Sequence, residues 1–305
     1  LPIFNEQKCV ANFFAHVDPI CHRLALLNVK LEFIFVDDGS DDKSVSEILV
    51  HGSSYTYTII KLSRNFGKEA ALLAGLEYAN TDAVIPYDID MQDPLVVVEE
   101  LVCHWLNGEN RVIAVRKNRE AESLPKRKAS AAYYSLLKYF AESPVEAEVG
   151  DFQLLDRKAL ANFLKIRDKV RYTKGLFSWI GYNPKVVEYS RSERKVGKSK
   201  FTTLNLLTLG LTGLFSLSTK PIKLIAVCGF TIAVLSFFLA AYFFINRIFF
   251  DIEVPGYASL AVMVAFFSGI QILFLGTLGL YIGMILNESK DRPIYIIEDV
   301  YANND

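Results

Sequence analysis

The chain has 305 residues, a near-even charge balance of 33 Lys plus Arg against 34 Asp plus Glu, and a net charge of −1. That length allows one large domain or two moderate ones, and the balance argues against a general nucleic-acid binder. The four cysteines, Cys9, Cys21, Cys103 and Cys228, contain no C-x-x-C pair, which argues against a disulfide framework or zinc site and fits a reducing compartment.

The first 116 or so residues alternate as βαβ units. Leu1-Pro2-Ile3-Phe4 reads as a strand end; the chain starts there without Met, so further residues are expected to precede it. Asn5 and Glu6 follow, then a helix carrying Val10, Phe13 and Phe14. Leu31 to Val36 is a strand running into Asp37-Asp38-Gly39-Ser40, where Gly39 permits a tight turn and Ser40 or Asp41 can cap the next helix. Thr58 to Leu62 is a third strand. It leads through Ser63-Arg64-Asn65-Phe66-Gly67 into an Ala/Leu-rich helix from Lys68 to Ala79.

The fourth strand, Ala83-Val84-Ile85-Pro86, opens onto Tyr87-Asp88-Ile89-Asp90-Met91-Gln92-Asp93-Pro94. Side chains two apart on extended chain leave the same face, so Asp88, Asp90 and Gln92 are expected to converge. Two carboxylates and an amide oxygen make a hard-oxygen site for Mg²⁺ or Mn²⁺ with positions left for phosphate oxygens. Asp93 and Pro94 read as N-cap and first helical residue. A helix near Leu95–Leu106 and a strand near Val112–Arg116 complete the set. Ligands of open α/β sheets sit beyond the carboxyl ends of strands. The loops at Asp37, Arg64 and Asp88 all lie at such ends. Any one could be an ordinary turn, whereas the three together point to a ligand site.

Beyond residue 116 the charge segregates. Arg116, Lys117, Arg119, Lys126, Arg127 and Lys128 form one basic cluster; Arg191, Arg194, Lys195, Lys198 and Lys200 form another. A helix from about Pro125 to Phe140 has a basic head and an aromatic body, suited to a membrane interface or to a plain amphipathic surface. Gly150-Asp151-Phe152 precedes another apolar run, and Trp179 to Tyr182 leads into a strand over Lys185–Tyr189. Phe201, Leu204, Leu207, Leu211, Leu214 and Phe215 then repeat at helical spacing, which reads as a helix in the membrane surface. Leu224–Ile245 and Tyr257–Leu286 carry no charge and exceed the roughly 20 residues a bilayer crossing needs. The basic flanks place the N-terminal domain and tail in the cytoplasm and the connector Asn246–Gly256 outside. Pro293 to Ile297 reads as a short strand that pairs with a sheet edge of its own or a neighbouring chain.

Taken in order, Pro2-x-Phe4-Asn5-Glu6, Val36-Asp37-Asp38-Gly39-Ser40, Arg64-Asn65-Phe66-Gly67-Lys68, Asp88-x-Asp90-x-Gln92-Asp93-Pro94, Gly150-Asp151-Phe152, and Arg194 with Gly197-Lys198-Ser199-Lys200 form a specific set. It resembles the family 2, GT-A fold glycosyltransferases that act on polyprenyl phosphates. These include the dolichyl-phosphate mannose synthases and, more similar here, the bacterial GtrB-type undecaprenyl-phosphate glucosyltransferases with two C-terminal transmembrane helices. The resemblance implies an α/β, Rossmann-like GT-A catalytic domain over residues 1–200, an interfacial amphipathic helix over 201–219, a two-helix transmembrane region over 220–287, and a cytoplasmic tail over 288–305. It implies inverting sugar transfer from a nucleotide diphosphate sugar, UDP-glucose by subgroup, to a polyprenyl phosphate lipid carrier. The setting would be the cytoplasmic face of a bacterial plasma membrane, with a homo-oligomer such as a tetramer as the assembly.

By the same resemblance Pro2, Phe4, Glu6, Asp37 and Asp88 surround the nucleotide. Asp88, Asp90 and Gln92 form the DXD-type metal site for Mg²⁺ or Mn²⁺. Arg116 and Arg127, with Arg194, Lys198 and Lys200 on the membrane side, hold the acceptor phosphate. Asp88, Asp90, Arg116 and Arg127 are the expected catalytic set. By spacing alone Glu6 has no assignable chemistry, and Asp37 could bind a uracil or ribose or merely cap a helix. Alternatives are the same reaction with another sugar such as GDP-mannose, and a non-catalytic nucleotide-sugar-binding subunit of a membrane assembly. A processive polysaccharide synthase would carry Gln-x-x-Arg-Trp and more spans, neither of which is found.

Overall fold

The computed structural model describes residues 1–117, 149–169, 171, 173–190, 220–250 and 256–303. Arg127, Arg194, Lys198 and Lys200, the helix expected over Pro125–Phe140, the interfacial helix expected over 201–219 and the centre of the connector near Glu253 lie outside the described residues.

Two four-stranded sheets carry the N-terminal part. In the first, β1 (Pro2–Ile3), β2 (Phe33–Asp37) and β3 (Tyr57–Leu62) run parallel, with Ile3 opposite Asp37 and Asp37 opposite Lys61. Parallel register brings the three carboxyl ends to one edge, so the loops after Ile3, Asp37 and Leu62 emerge side by side. The second sheet has the order β4 (Ala83–Val84), β6 (Val149–Asp156), β5 (Arg111–Arg116), β7 (Lys185–Tyr189), antiparallel except for the β5–β7 pair. Only Ala83 and Val84 of the expected fourth strand pair; Pro86 has no N–H to give a ladder.

The helices follow from periodicity. In α1 (Gln7–Leu26), Val10, Phe13, Phe14, Val17, Ile20 and Leu24 recur at helical spacing and are buried against β2 and its neighbours. The short α2 (Ser44–His51) covers the same face. In α3 (Lys68–Tyr78) nearly every residue from Ala70 to Leu76 is buried, and Gly75 lies so close to β2 that a Cβ there would meet Val36 Cγ2 at 3.1 Å. That contact sets how closely α3 packs on β2. Then come α4 (Val97–Leu106), α5 (Arg157–Phe163) and α6 (Thr173–Trp179). A ladder of rings joins the two sheets through the core. Phe13 meets Tyr87 at 6.2 Å between centroids, Tyr87 meets Phe152 at 5.4 Å, and Phe152 meets Tyr189 at 5.9 Å.

Two helices of 31 and 33 residues follow, α7 (Lys220–Phe250) and α8 (Tyr257–Ser289). Both are long and apolar enough to cross a membrane. Their large apolar side chains point outward, with Phe230 and Phe237 each 71% exposed, so the protein core does not account for their composition.

Three local expectations change. Neither Ser40 nor Asp41 caps α2: Asp42 accepts the Ser44 N–H at 2.9 Å, while Ser40 Oγ instead takes the Asn5 N–H at 3.0 Å. Helix α4 starts at Val97, not at Pro94, because Asp93 is held elsewhere. The tail strand β8 spans Ile297–Asn303, not Pro293–Ile297, and pairs antiparallel with β3 of its own chain. Among the described residues β8 is the strand that pairs this edge of β3.

Candidate functional site

The site grows from the loop after β2. Asp37 and Asp38 are buried, at 1% and 3% exposure. Asp38 Oδ1 accepts the Phe66 N–H at 2.7 Å and Oδ2 accepts the Gly67 N–H at 2.9 Å. One carboxylate thus fixes the start of α3; hydrogen bonds to a charged group are worth about 1.5–3 kcal/mol each. Gly39 is required between them: its φ is +73°, and a Cβ would sit 2.7 Å from the Asn65 nitrogen. Asp37 Oδ1 accepts the Ser40 N–H at 3.1 Å, and its Oδ2 has no hydrogen-bond partner among the described residues. Burial pushes both carboxyls above their usual range, and the N–H donors only partly offset it.

The loop after β1 is sewn to this one. Asp41 N–H donates to Asn5 Oδ1 at 2.9 Å, Glu6 N–H to Ser44 Oγ at 2.8 Å, and Gln7 N–H to Asp42 Oδ2 at 3.2 Å. Pro2 lies in β1, Phe4 just beyond it, and Glu6 at the N-terminal cap of α1, where its Oε2 accepts from Cys9 Sγ at 3.3 Å. Four of the five residues expected around the nucleotide, Pro2, Phe4, Glu6 and Asp37, are therefore brought to one edge, and the fifth, Asp88, lies on the loop after β4.

The acidic stretch does not run extended. Ile89 and Asp90 form a turn, Met91 has φ +55°, and the Met91 N–H donates to the Asp88 carbonyl at 3.3 Å. Asp88, Asp90 and Gln92 still gather on one loop, but through that turn and not through strand alternation. Gln92 Nε2 donates to Asp90 Oδ2 at 2.7 Å and Gln92 N–H to Asp90 Oδ1 at 3.1 Å. Asp88 faces elsewhere: Lys68 Nζ is 2.8 Å from its Oδ2 and 3.1 Å from Asp151 Oδ2. Burial opposes the Lys68 charge, but Asp151 and Asp88 outweigh it and hold the ammonium above its ordinary pKa. Asp151 Oδ1 is buried without a hydrogen-bond partner among the described residues.

Asp93 closes the loop. Its Oδ1 accepts the Tyr189 hydroxyl at 2.5 Å and lies 3.5 Å from Arg116 Nη2, while Arg116 Nε donates to the Tyr189 oxygen at 3.1 Å. Burial first, then the Asp93 carboxylate, pushes the Tyr189 phenol up to about 12. Arg116 is thus oriented at the end of β5 by a carboxylate and a phenol.

Lys68, Asp38, Asp93 and Tyr189 were given no part in the site by the sequence, which offered Asp93 only as a helix cap. Lys68 carried one usable signal. A cation at the first position of a helix opposes the helix dipole, so its presence there implies carboxylates nearby. Tyr189 and Asp93 are 96 residues apart and carried no local signal. The donors Asp88, Asp90 and Gln92 are all hard oxygens and suit Mg²⁺ or Mn²⁺ in kind. No cluster of three His, Cys, Asp or Glu able to hold a metal ion occurs among the described residues, so such an ion would need the Gln92 amide or oxygens from a ligand.

Comparison with known proteins places this chain. The family description Glycosyl transferase family 2 matches residues 1–164. A bactoprenol glucosyl transferase of Shigella phage SfV is 38% identical over 300 residues, 98% of this chain and 97% of that protein. A prophage bactoprenol glucosyl transferase homolog of Escherichia coli (strain K12) is 36% identical over 98% of this chain and 97% of that one. An uncharacterized glycosyltransferase of Synechocystis sp. is 36% identical over 99% of this chain and 94% of its own length. Among solved structures, mannosyl-3-phosphoglycerate synthase from Rubrobacter xylanophilus is 15% identical, with a TM-score of 0.47 over 69% of each chain.

Proposed function

The chain belongs to glycosyl transferase family 2 and is a glycosyltransferase; from that premise we propose that it transfers glucose from UDP-glucose, with inversion, onto undecaprenyl phosphate at the cytoplasmic face of a bacterial plasma membrane. The observation that carries this reading is the extent of the similarity. Chains called bactoprenol glucosyl transferase match not only the family domain but α7, α8 and the tail as well. On this reading residues 1–200 form the catalytic domain, 201–219 an interfacial helix, 220–287 the membrane anchor, and 288–305 a cytoplasmic tail.

Pro2, Phe4, Glu6 and Asp37 take the nucleoside at the edge where the first three strands end. Asp88, Asp90 and Gln92 would hold Mg²⁺ or Mn²⁺, which when bound supplies positive charge against the leaving diphosphate. Lys68 bridges Asp88 and Asp151 and fixes their positions. Arg116, oriented by Asp93 and Tyr189, faces the acceptor phosphate together with Arg127; Arg194, Lys198 and Lys200 serve the membrane side. A phosphate monoester has a second pKa near 6 and is already largely ionised at neutral pH. The acceptor then needs a cationic cradle and no side-chain general base, and guanidinium groups grip phosphate in bidentate fashion.

The test is direct. Purified protein is incubated with Mg²⁺, undecaprenyl phosphate and a panel of UDP- and GDP-sugars, and lipid products are identified by mass. Undecaprenyl-phosphate glucose from UDP-glucose is expected. A product from GDP-mannose alone overturns the donor, and no lipid product from any donor overturns the acceptor.

A further inference from the structure

A cavity of about 550 Å³ lies where α8 ends, lined on one side by Glu69 and Ala70 of the first turn of α3. Its walls include Arg64, Lys169, Arg171, Lys290, Arg292 and Glu69. The acids are already engaged. Glu69 Oε2 accepts both the N–H and the hydroxyl of Thr173. Glu288 and Asp291 are held by Lys169, whose Nζ is 2.9 Å from Asp291 Oδ1 and whose N–H donates to Glu288 Oε1 at 2.7 Å. Arg64 stacks its guanidinium 3.9 Å above the Phe66 ring.

Arg171 is the unusual member. It is only 9% exposed, yet its Nε and Nη2 have no hydrogen-bond acceptor among the described residues. Its Nη1 alone is served, by the carbonyls of Ile166 at 3.2 Å and Asp168 at 3.4 Å. Arginine does not give up its proton in proteins, and buried donors without acceptors are costly; Asp168, Glu69 and Glu77 lie near enough to favour the charge, but none of them accepts from Nε or Nη2. The wall thus holds a fixed charge and two unused donors in a fork that matches phosphate. Lys290 and Arg292 flank it one and three residues after the last residue of α8.

We propose that this cavity binds the phosphate of a membrane lipid, with Arg171 as the buried ligand and Lys290 and Arg292 at its mouth. The reading rests on the proposed placement of α8 in a bilayer, since the end of a spanning helix puts Lys290 and Arg292 at headgroup depth. The other side of the same element, Lys68, serves the Asp88–Asp151 pair, so the first turn of α3 would border both sites.

The experiment uses the full chain in detergent and native mass spectrometry to count retained lipid. Phosphatidylglycerol, phosphatidylcholine, undecaprenyl phosphate and inorganic phosphate are the probes, and transfer activity is assayed in parallel. Wild type should retain phosphatidylglycerol over phosphatidylcholine, and the double variant Lys290→Gln/Arg292→Gln should lose roughly tenfold or more in that retention, as expected for two cations near a charged surface. Arg171→Gln should lose it too; the double variant, being at the exposed mouth, keeps the test valid if Arg171→Gln fails to fold. Displacement of phosphatidylglycerol by undecaprenyl phosphate at equal concentration identifies the acceptor lipid as the source of the phosphate; resistance to it identifies bulk phospholipid. Equal displacement by inorganic phosphate overturns the lipid assignment. Retention unchanged in the double variant overturns the site. Activity without lipid selectivity removes this proposal alone, whereas selectivity without activity removes the proposed reaction alone.

Discussion

Lys68 Nζ lies 2.8 Å from Asp88 Oδ2, so the first residue of α3 reaches across to the loop that follows β4. The same ammonium is 3.1 Å from Asp151, and its helix start is fixed by Asp38. One lysine therefore ties the loop after β4 to strand β6, from a helix start held by the loop after β2. Replacing it with Met keeps the length and leaves two carboxylates facing each other unscreened. Lys68→Met should lower turnover by roughly a hundredfold, the scale for removing one preorganised charge, while Lys68→Arg recovers part of it. Because Lys68 is 45% exposed, its contribution to stability is screened, and little change in melting temperature is expected. Unchanged turnover in Lys68→Met would contradict the assignment.

Asp90→Asn keeps the shape of the turn and the Gln92 contact but removes the charge. Metal-dependent transfer should collapse while circular dichroism and melting temperature stay near wild type. Near-normal activity that ignores chelation would show that Asp90 is no ligand.

Asp37 yields a prediction with a definite sign. Burial raises its pKa in the folded chain, so the native state binds the proton more tightly than the unfolded one. Its contribution to stability is then fully present in acid and is lost as pH rises through the raised value. Asp37→Asn should therefore melt at the same temperature as wild type or higher at neutral pH. The gap should close as pH falls toward about 4, the unfolded-state value. UDP binding, read by calorimetry, should weaken by roughly tenfold, the scale of a lost hydrogen bond to a charged group. A variant that melts lower at neutral pH and binds UDP normally would make Asp37 a structural residue only.

Orientation can be read by labelling. In a variant without its native cysteines, a cysteine at Glu253 should react with an impermeant reagent added to intact cells, and one at Asp291 should not. The opposite pattern would put the catalytic domain on the wrong side for cytoplasmic nucleotide sugars.

The acceptor prediction concerns Arg127. Arg127→Ala should raise the KM for undecaprenyl phosphate or lower turnover, with nucleotide binding intact, and undecaprenol should not be glycosylated. Equal use of the free alcohol, or loss of nucleotide binding in Arg127→Ala, would refute a phosphate-specific cradle.

Strands and long helices were legible because burial imposes a period. Phe13, Phe14 and Val17 announce α1, and the uncharged runs announce α7 and α8. The acidic loop was legible in content but not in shape. Alternation assumed extended backbone, whereas Met91 turns left-handed and Asp88 follows a lysine 20 residues earlier in the chain. Caps failed for a related reason: Ser40 is spent on Asn5, a partner 35 residues away. The tail strand was misplaced because Glu298 and Asp299 look unlike a sheet. They tolerate an exposed edge, where Lys61 Nζ meets Glu298 Oε2 at 2.8 Å.

That edge has a consequence for how the protein is made. Strand β3 pairs Ile59 with Tyr301 and Leu62 with Ile297, so its sheet lacks β8 until residues 297–303 leave the ribosome. By then both apolar helices have already been synthesised. The first sheet can therefore be completed only after both apolar helices have been synthesised. A chain stalled or truncated before Ile297 would leave β3 open beside the Arg64–Gly67 loop, with an unpaired edge for quality-control proteases and chaperones to recognise. Synthesis of the two apolar helices and completion of the sheet that carries the site are thus ordered by the position of one strand.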